Sequence, residues 1–262
     1  MARPLIALLT DFGLRDHYVG TMKGVMLGIC PEASLVDISH ELAPQDVLGA
    51  ALELAAAYPY FPSGSIFLVV VDPGVGSTRR AIAVEAGGYR FVAPDNGVLS
   101  TVLDRSPLWG AVELTASEYS RSTISKTFEG RDRFAPAAAW LATGVPLSGL
   151  GRPAPTLVRL EVPSPRGTDA GVDGAVLRVD RFGNLITNID QGTLRKLSGT
   201  VSVQIGSHVI PRIVATYAEA KAGELCALVG SSDYLEIAVN GGSAAATVGQ
   251  GRGAIVQLRA SA

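Results

Sequence analysis

The stretch VVVDPGVGSTRR, residues 69–80, ends a hydrophobic run on an aspartate and places an arginine seven positions later, across a glycine-rich turn. If that turn folds back, Asp72 meets Arg79. A carboxylate held beside a guanidinium stays ionised and oriented, which suits it to position a water molecule or accept its proton. The same spacing equally suits an ion pair that merely closes a loop. GVGSTRR is not a Walker-type phosphate loop, because no Gly-Lys-Ser/Thr follows.

Three further segments carry polar side chains where the chain must change direction, which is where binding groups project from rigid scaffolds. In TDFG, residues 10–13, Asp11 follows a short apolar run and could accept hydrogen bonds from a ribose diol, or serve as a helix cap or Asx turn. In KTFEGRDRFAP, residues 126–136, Glu129, Arg131, Asp132 and Arg133 crowd ahead of a helix; Asp132 as cap with Arg131 paired to a carboxylate is the plain structural reading. VDRFGNLITNID (179–190) and SSDYLEIAVNGGSAA (231–245) read as strands broken by turns that expose backbone. His17, His40 and His208 have no metal-ligand spacing, and neither a GxSxG serine nor a Cys/His pair offers covalent catalysis.

These residues need a scaffold. Short apolar, β-branched runs at 5–10, 66–72, 81–85 and 90–93, each closed by Gly, Pro or Asp, read as buried strands. Residues 17–29 and 44–58 read as helices between the first two, with Pro44 in the first turn of the second, and 134–143 as another ending at Gly144. Strand, helix, helix, strand predicts an α/β layer with a mainly parallel sheet. The aperiodic segment 162–173, dense in Pro and Gly, reads as a linker. Beyond it come close-spaced strands at 174–180, 185–189, 200–205, 208–215, 225–229, 234–239 and 254–258, which predict a smaller all-β domain. The expected domains are residues 1–162 and 173–262.

A formal net charge of −2 leaves no electrostatic footprint for nucleic acid or an anionic membrane, so a small-molecule partner is expected. Cys30 and Cys226, the two cysteines, are expected as buried thiols in a reducing, cytoplasmic setting. The opening apolar run is too short for a signal or membrane segment.

Taken together, LLTDFG, DISHELAP, VVVDPGVGSTRR, APDNGVL, FEGRDRFAPAAAWLATG, VDRFGNLITNI and YLEIAVNGGSAA resemble one family over about residues 5 to 258. It is that of the S-adenosylmethionine (SAM) hydroxide adenosyltransferases, related to the SAM-dependent fluorinase and chlorinase. The resemblance implies a seven-stranded α/β domain, a barrel-like β domain, and a homotrimer whose sites lie between the N-terminal domain of one subunit and the C-terminal domain of the next. It implies hydrolysis of SAM to adenosine and methionine, with SAM as substrate and neither cofactor nor metal. By the same resemblance Asp11 holds the ribose hydroxyls, Asp180, Asn184 and Ser231 the methionine end, Tyr217 faces adenine, and backbone near Val239 and Gly241 meets the adenine edge. Asp72 with Arg79 matches the hydroxide enzymes; the halogenases carry tyrosine in place of Asp72. Where the hydroxide enzymes complete a water-activating set with histidine, this chain has Glu129, between Phe128 and Gly130. Glu129 is then a second acceptor beside Asp72, an impairing anion, or a replacement for the histidine.

Overall fold

The computed structural model describes residues 3–261, which divide into two compact units between Glu161 and Val162. In the first unit the chain order is β1 (Leu5–Thr10), α1 (Tyr18–Ile29), β2 (Ser34–Ser39), α2 (Val47–Ala57), β3 (Ile66–Val70), β4 (Ala81–Ala86), β5 (Tyr89–Pro94), α3 (Ser100–Arg105), β6 (Leu108–Leu114), α4 (Ala135–Ala142) and β7 (Gly151–Pro153). The seven strands form one sheet in the order β2-β1-β3-β5-β4-β6-β7. β2, β1, β3 and β5 are mutually parallel, β4 pairs antiparallel with both β5 and β6, and β7 pairs antiparallel with β6. Five strands therefore run one way and two, β4 and β7, the other.

The apolar runs are continuous because both faces of this sheet are covered. Ile6, Leu8, Ile66, Leu68 and Val70 point to one face, where they meet Met22 and Met26 of α1 and Ala137 and Leu141 of α4. The alternate residues Ala7, Leu9, Phe67, Val69 and Val71 point to the other, against Ala50 and Leu54 of α2 and Val102 of α3. Val19, Met22 and Met26 supply the helical spacing that turns one side of α1 inward.

Register decides what emerges at the sheet's edge. Thr10 at the end of β1 is the partner of Val70 at the end of β3, so the loops carrying Asp11 and Asp72 leave side by side. Ala81 at the start of β4 lies opposite Pro94 at the end of β5, so the 71–80 loop returns at the same edge. Open α/β sheets bind ligands at the carboxyl ends of their parallel strands.

The second unit holds β8 (Arg166–Thr168), β9 (Gly171–Val179), β10 (Leu185–Asp190), β11 (Thr200–Ile205), β12 (His208–Ile210), β13 (Ile213–Val214), β14 (Leu225–Val229), β15 (Tyr234–Val239) and β16 (Ile255–Ser261). Their order is β12-β11-β16-β9-β10-β15-β14-β13, with β8 on β9. The ends approach, β11 beside β13 and β12 beside β14, so the sheet curls into a near-barrel around Val176, Leu185, Ile189, Val203, Leu235, Ile237 and Leu258.

Four sequence readings are corrected. The second helix begins at Val47 rather than at Pro44, because the Asp46 side chain caps it by accepting from the Gly49 amide at 2.9 Å. β2 was not expected; it is an edge strand whose exposed and half-buried residues lack an apolar run. The stretch read as a linker contains β8, which pairs with β9. Residues 208–215 make two strands, interrupted at Pro211 and Arg212.

Phe67 is wholly buried, stacked on Phe91 at 5.2 Å between ring centres and edge-on to Tyr58, Phe61 and Tyr89. Phe67→Ala is expected to cost about 3–5 kcal/mol, read as a lower urea midpoint.

Candidate active site

A cavity of about 240 Å3 opens at the strand ends of the first unit, lined by Asp11, Phe12, Pro44, Gln45, Val70, Asp72, Val75, Thr127, Phe128, Glu129 and Gly130. Three loops and the Pro44–Gln45 turn, from distant parts of the sequence, build it.

The first loop is TDFG. Thr10 Oγ1 lies 2.8 Å from His40 Nδ1, whose Nε2 lies 2.9 Å from Asp37 Oδ1, and the Gly13 amide donates to the His40 carbonyl at 2.7 Å. Asp11 neither caps a helix nor forms an Asx turn: its Oδ2 accepts from the Gln45 amide at 2.7 Å, and the residue lines the cavity. Gln45 holds that amide with φ of 66°, a left-handed conformation uncommon for a residue with a side chain. The DISHELAP segment is thereby explained as the clamp on TDFG. His40, between Ser39 and Glu41, has no spacing in the sequence that points to this role.

The second loop carries Asp72 and Arg79, which do meet. Arg79 Nε donates to Asp72 Oδ1 at 2.9 Å and Oδ2 at 3.0 Å, and Nη2 donates to Oδ2 at 2.5 Å. The same Nη2 donates to Glu129 Oε2 at 2.9 Å, so one guanidinium joins two carboxylates. Burial alone would lower the pKa of Arg79; the hydrogen bonds and charges of Asp72 and Glu129 more than offset it and raise the pKa, so the cation is permanent. Its guanidinium carbon sits 5.2 Å over the Phe134 ring. Gly76, with φ of 77°, lets the loop lie on the third one: a Cβ there would stand 2.5 Å from the Lys126 carbonyl oxygen. Asn96 of APDNGVL donates to the Val71 carbonyl at 2.9 Å and so steadies the residue before Asp72.

The third loop runs into a π-helical turn, Gly130–Phe134, that leads into α4. Asp132 is fully buried and does not cap the helix. Arg131 Nε donates to its Oδ1 at 2.7 Å, Arg131 Nη2 and the Ser125 amide to its Oδ2 at 2.8 Å each, and Arg121 lies 3.2 Å away. Burial would raise the Asp132 pKa, but those donors and charges prevail and hold it below the usual carboxylate value.

The remaining candidates belong to the second unit. In the 180–184 turn Asp180 Oδ1 accepts from the amides of Phe182 at 2.8 Å and Asn184 at 2.9 Å, and Asn184 Nδ2 donates to Asp180 Oδ2 at 2.9 Å. Tyr217 donates to the buried Glu236 at 2.5 Å; burial first, then that bond and the charges of Glu236 and Asp180, raise its pKa, so the phenol stays neutral. Glu236 was not among the candidates; its place on an otherwise apolar strand, LEIAV, was the available signal. Ser231 sits in the β14–β15 turn, while Val239 ends β15 and Gly241 follows with φ of 77°. Cys30 and Cys226 are free and buried, the thiol of Cys226 raised in pKa by burial and by Glu236.

An α/β unit with an acidic pocket at its strand ends, followed by a near-barrel with a second polar cluster, defines a class of two-unit proteins that bind small polar ligands. The profile of the SAM hydroxide adenosyltransferase N-terminal domain matches residues 6–151 and that of the C-terminal domain residues 174–257. The chain belongs to the SAM hydroxide adenosyltransferase family. It is 42% identical to the (R)-S-adenosyl-L-methionine hydrolase of Salinispora tropica, over 94% of either chain. It is 31% identical to a fluorinase of Nocardia brasiliensis, over 98% of this chain and 97% of that one. Among solved structures, an uncharacterized conserved protein from Thermotoga maritima superposes with a TM-score of 0.92 at 37% identity, covering 97% of this chain and 99% of that one.

Asp132 ties the Glu129 loop down. Its folded pKa is depressed, so its contribution to stability is present above the unfolded value of about 3.9 and is lost as pH falls through the folded value. Asp132→Asn is expected to lower stability at pH 7 and to flatten the loss of stability below about pH 4, checked by urea unfolding at a series of pH values.

Proposed function

We propose that this protein hydrolyses SAM, water attacking the ribose C5′ carbon to give adenosine and methionine. The observation that carries the reading is the Asp72–Arg79–Glu129 group facing a cavity walled by Val70, Val75 and Phe128. With Asp11 in the lining, three carboxylates and one bridging guanidinium line or adjoin the space, a balance that favours a cationic substrate such as a sulfonium. The (R)-S-adenosyl-L-methionine hydrolase from Salinispora supports the same substrate and reaction.

The sulfonium is its own leaving group, so the protein's work is positioning. Water must stand opposite sulfur, roughly 3–3.5 Å from C5′, with bulk solvent excluded. Its oxygen bonds to C5′, the C5′–S pair returns to sulfur as the methionine thioether, and the proton passes to a carboxylate. Asp72 and Glu129 are the two acceptors at hand, and their charges oppose an incoming halide. The Asp11 carboxylate suits the ribose diol. Asp180 and Asn184, already side by side, are assigned with Ser231 to the methionine end, Tyr217 to the adenine face, and the backbone at Val239 and Gly241 to the adenine edge.

Because these groups are divided between two units, we further propose a cytoplasmic homotrimer in which neighbouring subunits complete one another's sites. Among the described residues no helix is long and apolar enough to cross a membrane.

Purified protein incubated with SAM is expected to yield adenosine and methionine in equal amounts, with or without added chloride, by liquid chromatography. Unchanged SAM would mark a binding protein without turnover, and a 5′-chloro product a halogenase. Light scattering at micromolar concentration is expected to give the mass of three chains; a stable monomer that still turns over SAM would refute the shared site.

A further inference from the structure

The hydrogen bonds around the two carboxylates are unequal. A carboxylate offers about four acceptor positions. Asp72 receives three contacts from Arg79, two of them on Oδ2. Glu129 receives one, on Oε2, and Arg133 Nε stands off at 3.8 Å. Among the described residues no donor reaches Glu129 Oε1, and that atom is not sealed from solvent. Glu129 lines the cavity.

The backbone under Glu129 is firm. The amides of Arg131 and Asp132 both donate to the Phe128 carbonyl, at 3.2 and 3.3 Å. A Cβ on Gly130 would stand 3.1 Å from Met22 Sδ, so the turn is packed directly on α1. A side chain on such a support holds its geometry through a reaction.

The geometry points to Glu129 as the group that receives the water's proton, through Oε1, with Asp72 acting as the positioning residue that locks Arg79. This assignment rests on the hydrolysis reading above. In the step, water oxygen bonds to C5′, the C5′–S bond breaks toward sulfur, and the water's proton moves to Glu129 Oε1 and then to solvent. Arg79 Nη2 holds Oε2 in place throughout, as a carboxylate oxygen before the transfer and as a carbonyl oxygen while Oε1 carries the proton. Glutamate thus does here the work of a neutral acceptor such as histidine, with a lower proton affinity and a different pH range.

The test is the pH dependence of kcat, from adenosine release, for the wild type, Glu129→Gln, Glu129→His and Asp72→Asn. The acid limb of Glu129→His is expected to lie at higher pH than that of the wild type, because an imidazole then stands in place of the carboxylate as the acceptor. Glu129→Gln, nearly isosteric, is expected to lose about 10²-fold or more in kcat while KM changes by only a few fold. Asp72→Asn is expected to lose turnover but to keep an acid limb, because Glu129 still receives the proton. An acid limb unchanged in Glu129→His, or Glu129→Gln within about threefold of wild-type kcat, overturns the assignment and returns the proton to Asp72. If Glu129→His fails to fold by circular dichroism, the Glu129→Gln result decides. A wild type that makes no adenosine overturns the hydrolysis reading itself and is recognised from that arm alone.

Discussion

One guanidinium between two carboxylates is the constraint on which the first unit's chemistry depends. The side chains of Asp72, Arg79 and Glu129 retain only 5%, 10% and 10% of their exposure. Two anions that share one donor nitrogen repel each other. Arg79 offsets that repulsion, and it can do so only where the 71–80 loop meets the loop that carries Glu129. The parallel register of β1 and β3 brings Asp11 and Asp72 out together, and the antiparallel entry of β4 carries Arg79 back to the same edge. Phe134 then supports the guanidinium from the π-helical turn that also presents Glu129.

The arrangement explains why so many of the polar residues around the cavity are themselves tethered. His40 joins Thr10 to Asp37, the Gln45 amide occupies one oxygen of Asp11, Asn96 holds Val71, and Asp132 is gripped by two arginines. None of these needs to touch a ligand to matter. Each removes a rotamer or a loop motion from a group that does, which is how a site keeps its geometry without ligand present. The second unit repeats the device on a smaller scale, with Asp180 held by its own turn and Tyr217 held by Glu236.

Much of this was legible in the residues alone. The buried strands at 5–10, 66–70 and 81–86 announced themselves as apolar runs because both sheet faces are covered, and the close-spaced strands after residue 170 marked the β unit. The Asp72–Arg79 spacing allowed their pairing if the glycine-rich turn folded back, and it does. β2 was missed because an edge strand half open to water carries no apolar signature. The start of α2 was misplaced because Pro44 and Asp46 are both good opening residues, and only the Gly49 hydrogen bond chose between them.

What the sequence determined by itself was local: which runs bury, where the turns fall, which charged pairs lie within reach of one loop, and that a glutamate stands where the family's histidine is expected. Only the tertiary structure decided the relations across long separations. That Arg79 reaches Glu129, fifty residues on, follows from sheet register and from Gly76 resting on Lys126. That Asp72 is nearly saturated while Glu129 keeps an open oxygen follows from the direction in which Arg79 presents its N–H groups. Hydrogen-bond occupancy depends on angles and distances to within fractions of an ångström, and residue spacing along a chain carries no such information.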